Sequence, residues 1–164
     1  MEPIRKVGWI GIDPGASGAI AVYDHGYDIS VIKLTETPQD VSSWLAEKIE
    51  QYHIMGAVIE RVHAMPKQGV VSGFKFGVSY GFCQGLLVAH RIPFEMITPQ
   101  TWQKELRCLT KGDKNITKEA AQRIWPKLSI THATADAMLI ALYARVASSF
   151  RERTASVKPV KKNR

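Results

Sequence analysis

Three strand-like runs open the chain, and the turns between them are too short for anything but an antiparallel arrangement. "KVGWIGID" (6–13), "AIAVYD" (19–24) and "YDISVIKL" (27–34) are rich in β-branched and aromatic residues. "PGASG" (14–18) and "HG" (25–26) join them. Parallel neighbours need a crossover of about a dozen residues or more, so these three runs predict a meander. A helix follows over 37–52, with Pro38 in its first turn and Val41, Trp44, Leu45 and Ile49 on one stripe. "MGAVIE" (55–60) is short and almost wholly apolar, the pattern of a buried strand; after a helical crossover it runs parallel to the first.

The remaining elements follow the same logic. A polar loop, "RVHAMPKQ" (61–68), leads into a long helix ending near His90, and "IPFEMI" (92–97) reads as a fifth strand. Helices are predicted over 98–106, 117–126 (capped by Thr117, closed by Pro126) and 131–153, with the basic loop "TKGDKN" (110–115) between the first two. The expected fold is α/β: a five-stranded mixed sheet, three antiparallel strands and then two parallel, with helices on both faces. No repeat or linker interrupts the 164 residues, so one domain spans 1–153 and a basic tail, 154–164, is expected to be disordered.

Charge and cysteine content narrow the function classes. The formal net charge of +7 fits an anionic partner, nucleic acid or an acidic membrane, although part of it sits in "KPVKKNR" at the end of the chain. Cys83 and Cys108 form no CxxC and no Cys/His zinc spacing, and are expected to be reduced thiols. "MEPIRKVGWIGID" lacks the architecture of a signal peptide, and Lys75 and Gln84 interrupt the long apolar helix. The expected location is the cytoplasm, with no membrane partner.

Three acids stand where acids are costly. Asp13 and Glu60 each end an apolar strand, and Asp136 lies within the apolar helix "ATADAMLIALYA". Asp136, Ile140 and Tyr143 share a helix face, so if that face packs on the sheet Asp136 points toward the strand ends. Taken singly, each is an ordinary strand-end or helix acid. Taken together they would repel one another, and no Arg or Lys within these segments relieves that. A divalent cation would. Magnesium takes oxygen ligands and is commonly completed by substrate phosphate. Two such ions roughly 3.5–4 Å apart clamp the attacking water and the leaving oxygen of a phosphodiester. Asp13, Glu60 and Asp136 therefore fit metal-assisted phosphodiester hydrolysis.

The long helix poses a separate question. "GVVSGFKFGVSYGFCQG" places glycine at 69, 73, 77, 81 and 85. Each helical glycine costs roughly 1 kcal/mol relative to alanine, so close packing must offset the loss. Residues four apart drift by about 40° around the helix, which makes the glycines a slanting groove beside an apolar ridge of Val70, Phe74, Val78 and Phe82. The groove allows close helix approach, within one subunit or between two.

Several stretches resemble the RuvC-type Holliday junction resolvases of the RNase H-like superfamily, and most of all their phage-type branch. They are "GIDPGASGAIAV" (11–22), "AVIERVHAMP" (57–66), "SGFKFGVSYGFCQGLL" (72–87), "ITPQTWQKEL" (97–106) and "HATADAMLIALYA" (132–144). The resemblance implies a crossover junction endodeoxyribonuclease that nicks four-way DNA junctions symmetrically, using Mg2+, with Mn2+ substituting, at two ions per active site. It implies catalytic and metal-ligating roles for Asp13, Glu60 and Asp136. Many relatives carry a further acid or histidine three positions before the last Asp; here that position is Ala133, and His132 is the nearest candidate, as a metal ligand, a proton carrier or a cap of the helix start.

The resemblance also places basic residues near the scissile phosphate, at Lys111 and Lys114, with Lys114 as the catalytic cation. It assigns DNA contacts to Arg61, His63, Met65 and Lys67, the loop that probes the junction centre. It implies a homodimer whose interface includes Gly73, Phe74, Gly77 and Gly81, and a bacterial or phage-infected cell as the setting.

Other readings remain open at this level. The same acids would serve a broader nuclease acting on flaps and forks. A non-catalytic, structure-specific DNA-binding protein is a second alternative. A phosphate-binding domain of the actin and sugar-kinase fold also begins with a strand, an Asp and a glycine turn, but needs a second lobe for which 164 residues leave no room.

Overall fold

A computed structural model of the chain describes residues 5–62 and 69–155, with side chains described as far as residue 148. The strands are β1 (Lys6–Asp13), β2 (Ala19–Asp24), β3 (Ile29–Lys33), β4 (Tyr52–Glu60) and β5 (Phe94–Ile97). The helices are α1 (Pro38–Gln51), α2 (Val70–Ala89), α3 (Pro99–Glu105), α4 (Asn115–Ile124) and α5 (His132–Ala155). The sheet order is β3-β2-β1-β4-β5, with β1, β2 and β3 antiparallel and β4 and β5 parallel to β1. This is the mixed sheet expected from the turn lengths.

Both faces are covered. Ile10, Ile12, Ile20, Val22 and Ile59 pack with Val41 and Leu45 of α1 and Cys83, Leu86 and Leu87 of α2. On the opposite face Trp9, Ala21, Tyr23 and Val58 pack with α5, Trp102 of α3 and Ala121 of α4. Strand residues alternate between the two layers, as the two-residue period of a β-strand requires. No helix among the described residues is long and apolar enough to cross a membrane. Cys83 and Cys108 are free and buried.

Four local readings need correction. The β2–β3 connection is longer than "HG": Asp28 N–H donates to Asp24 Oδ1 at 2.9 Å, Tyr27 takes a left-handed φ of 71°, and β3 begins at Ile29. β4 begins at Tyr52, three residues before the expected start at Met55. Helix α4 begins at Asn115, because Asp113 Oδ1 accepts the Asn115 N–H at 2.9 Å; Thr117 is no cap but a buried residue inside the helix. At the other end, residues 154 and 155, expected to belong to the tail, continue α5, and 156–164 lie outside the described residues.

Candidate active site

Register brings Asp13 and Glu60 side by side. Gly8 pairs with Ile54, but Trp9 pairs with Gly56, leaving Met55 as an extra residue in β4. Before this bulge, Tyr52 and Ile54 face the α1/α2 layer; after it, Ala57 and Ile59 do. One inserted residue has reversed the alternation. Val58 and Glu60 therefore face α5, the side to which Trp9, Gly11 and Asp13 also turn. Ile12 pairs with Ile59, so the two acids end adjacent parallel strands.

Asp136 arrives from α5. Its neighbours Ala137 and Ala141 are small, and they lie directly on Gly11: a Cβ at Gly11 would overlap Ala137 O and the backbone of Ala141. Bare backbone on β1 and alanines on α5 let helix and strand approach closely, and the first turns of α5 then meet the end of β1. The "PGASG" turn packs against Asp13, and Ser17 lines the same pocket. Gly15 N–H donates to Asp13 Oδ1 at 3.1 Å, Gly18 N–H donates to Gly15 O at 2.8 Å, and a Cβ at Gly18 would overlap Asp13 O.

All three carboxyls are held above their ordinary range. Burial raises Asp13; the Gly15 N–H opposes it, the charge of Asp136 adds to it and Lys114 offsets it. Burial raises Glu60 to about 7, against the Trp102 hydrogen bond and reinforced by the charges of Asp13 and Asp136. Burial also raises Asp136, opposed by the Thr117 side chain, Lys114 and His132. Asp136 Oδ1 is buried with no hydrogen-bond partner among the described residues. Glu60 differs from the other two in having a fixed donor: Trp102 Nε1 donates to Glu60 Oε2 at 2.7 Å.

No protein-family model matches the chain, and no curated protein matches it in sequence. Solved structures do. Thermus thermophilus RuvC in complex with a Holliday junction substrate superposes with a TM-score of 0.61 at 17% identity, over 94% of this chain and 100% of that one. A second Thermus thermophilus RuvC structure superposes with a TM-score of 0.56 at 15% identity, over the same shares of 94% and 100%. The fold is that of RuvC.

On this RuvC-like frame the candidate residues fall into groups. Asp13, Ser17, Lys114, Thr117, His132, Ala133 and Asp136 line one pocket of about 250 Å3. Lys114 precedes α4 with an exposed side chain, and its charge reaches Asp13, Glu60 and Asp136. His132 opens α5 and is exposed at the pocket wall. Arg61 is exposed just beyond Glu60, and Lys111 is exposed at a left-handed φ of 47°. Neither lines the pocket. His63, Met65 and Lys67 lie outside the described residues. Gly73, Phe74, Gly77 and Gly81 lie on α2, whose first half stands clear of the sheet.

The donor set fits a hard cation in part. Oxygen ligands, three carboxyls raised by burial and an orphaned acceptor at Asp136 Oδ1 are what Mg2+ would relieve. Yet among the described residues no three His, Cys, Asp or Glu side chains are close enough to hold an ion as they stand. Asp13 and Asp136 share the pocket; Glu60, tied to Trp102, is outside its lining. Sequence reasoning missed the groups that hold the acids: the Gly15 N–H and Trp102. Only Trp102 carried a signal, since a buried indole N–H needs an acceptor and β5 delivers this one beside Glu60.

Proposed function

We propose that this chain is a metal-dependent endodeoxyribonuclease of the RuvC type, from its phage-type branch, that resolves four-way DNA junctions as a homodimer in the cytoplasm of a bacterial or phage-infected cell. The observation that carries the reading is the buried Asp136 Oδ1 on α5, unpartnered among the described residues, at the end of the sheet to which β1 and β4 bring two further carboxyls. Asp13, Glu60 and Asp136 would hold Mg2+, or Mn2+ in its place, with His132 as a further ligand where Ala133 offers none. Bound as a pair, the ions would supply activation of the attacking water and stabilisation of the departing 3′ oxygen, which would leave a 5′ phosphate.

The chain's own residues bind and orient the substrate. Among the described residues Lys114 is the cation whose charge reaches all three acids, and it neutralises the phosphate that approaches them. Gly15 holds Asp13 Oδ1. Arg61 and Lys111, both exposed, meet the flanking backbone, and the loop carrying His63, Met65 and Lys67 meets the junction centre.

Exposure along α2 supports the dimer. Nothing lies within 4 Å of a Cβ built on Gly73, Gly77, Gly81 or Gly85, so no packing among the described residues offsets their helix cost of about 4 kcal/mol. Val70, Phe74 and Val78 are 89%, 72% and 56% exposed along the same helix. An apolar groove of about 370 Å3, lined in part by Leu34, Pro38, Phe74, Val78 and Phe82, lies beside them. A second copy covering this face by two-fold symmetry would set two active sites at a fixed spacing, matching the pseudo-symmetry of a four-way junction.

The test is cleavage of an end-labelled four-way junction beside a matched flap, fork and linear duplex, in Mg2+ or EDTA, with Asp13→Asn as a folded control. Paired symmetric nicks in the junction, absent in EDTA and in the variant, are expected. Equal cutting of flaps and forks would replace the reading with a broader branched-DNA nuclease. Tight junction binding without cutting in Mg2+ or Mn2+ would replace it with a structure-specific binder.

A further inference from the structure

We propose that Ser17 is a substrate contact of the acid pocket, its hydroxyl donating to a non-bridging oxygen of the scissile phosphate. This rests on the nuclease activity proposed above and adds to it a neutral donor beside the Lys114 cation. Ser17 lines the pocket together with Asp13, Asp136, Lys114, Thr117 and His132. Ionised, the two acids accept hydrogen bonds and repel a phosphodiester, so the phosphate must be held by the donors around them. Thr117 is buried, and its Oγ1 already donates to Lys114 O at 3.2 Å. Ser17 is exposed, and among the described residues no group pairs with its Oγ. Of the two hydroxyls in the lining, Ser17 is therefore the one free to meet a substrate oxygen.

The turn that carries Ser17 is fastened to Asp13. Gly15 N–H donates to Asp13 Oδ1 at 3.1 Å on one side of it. On the other side Gly18 lies so close to the main chain of Asp13 that a Cβ there would overlap Asp13 O. Gly18 N–H closes the turn onto Gly15 O at 2.8 Å, and Gly18 O accepts Leu34 N–H at 2.9 Å just beyond β3. Ser79 Oγ, from α2, reaches Gly15 O at 3.5 Å. Ser17 is thus bracketed by two residues whose backbones are both held. Its short side chain loses little freedom when the hydroxyl is aimed, whereas Lys114 carries its charge on a flexible four-carbon stem. The lysine supplies charge and the serine supplies orientation, a donor already in place when charge develops on the phosphate oxygens.

The experiment is single-turnover cleavage of a four-way junction by the full chain in Mg2+, at saturating protein, for the wild type, Ser17→Ala and Ser17→Thr. The scissile phosphate is either unmodified or carries sulfur in place of one non-bridging oxygen, each stereoisomer taken separately. Ser17→Ala is expected to keep the wild-type Tm and to slow cleavage of the unmodified junction about 10- to 100-fold, the effect of losing a hydrogen bond to a charged group. Ser17→Thr, which keeps the hydroxyl, is expected to recover most of the rate. With one of the two sulfur isomers the wild type and Ser17→Ala should cleave within about twofold of each other, because sulfur accepts poorly and the hydroxyl then has nothing to lose. Full activity in Ser17→Ala, or the same fractional loss on all three substrates, would overturn the role of Ser17 while leaving the nuclease reading intact. A wild type that cuts no junction in Mg2+ or Mn2+ would overturn that reading and this inference with it. Should Ser17→Ala fail to fold, Ser17→Cys, close in shape but a weak donor, is judged by the same outcomes.

Discussion

Gly11 and Ala141 are in backbone contact: a single methyl group on the glycine would occupy the space of the α5 main chain. No flexible side chain is available there to move aside. Gly11→Ala must push α5 off β1, and with it Asp136 away from Asp13. The expected cost is about 3 kcal/mol, a fall in Tm of roughly 10 °C. Thermal denaturation of the purified variant checks this, and an unchanged Tm would mean that the β1–α5 contact is looser than described.

Stability of the metal-free protein should fall as pH rises. Glu60 has a folded value of about 7, above the 4.5 of the free side chain, so the native state holds this proton more tightly than the unfolded chain. The associated stability is present below about 4.5 and is lost as pH rises through about 7. Asp13 and Asp136 shift in the same direction. In EDTA, Tm should decline between pH 5 and pH 8, less steeply in Glu60→Gln, and added Mg2+ should restore it at the alkaline end. A Tm that rises over the same interval would contradict the burial of these carboxyls.

Lys114 is exposed and its charge reaches all three acids, and the proposed function gives it the role of a substrate contact. Lys114→Ala should leave Tm nearly unchanged. It should slow junction cleavage by roughly 10- to 1000-fold, as loss of a transition-state charge partner does. The slope of log K against log salt for junction binding should become shallower by about one. A variant with full activity and an unaltered slope would remove Lys114 from the site.

The glycine face of α2 separates two explanations by sign. With no described residue within 4 Å of its Cβ position, Gly77→Ala should stabilise the isolated subunit by about 1 kcal/mol through helix propensity alone. Gly77→Leu should leave the subunit folded for the same reason. If the face is the dimer interface, sedimentation will show the wild type as a dimer and Gly77→Leu as a monomer. A Gly77→Leu dimer of unchanged stability would move the interface elsewhere.

The candidate site was legible in parts. Asp13, Glu60 and Asp136 stood out because each interrupts or ends an apolar run, and the fold brings them to one end of the sheet. Lys114 and His132 followed from the family resemblance and do line the pocket. Trp102 and the Gly15 N–H were not recognised, since one acts on a residue distant in sequence and the other through the main chain. Thr117 was misplaced as a cap because Asp113, two residues before Asn115, begins the turn instead.

Strand and helix identities, the antiparallel meander and the acids at the segment ends depend on periodicities of two and 3.6 residues, which a few consecutive side chains carry. These the sequence determined by itself. The face on which Glu60 emerges depended instead on Met55, an unpaired residue in β4 whose effect exists only when β1 lies alongside. The closeness of Asp136 to Asp13 depended on Gly11 meeting Ala137 and Ala141, and the orientation of Glu60 on an indole 42 residues away. Register, close approach and side-chain orientation are settled by packing between segments far apart in the chain, so only the tertiary structure could decide them.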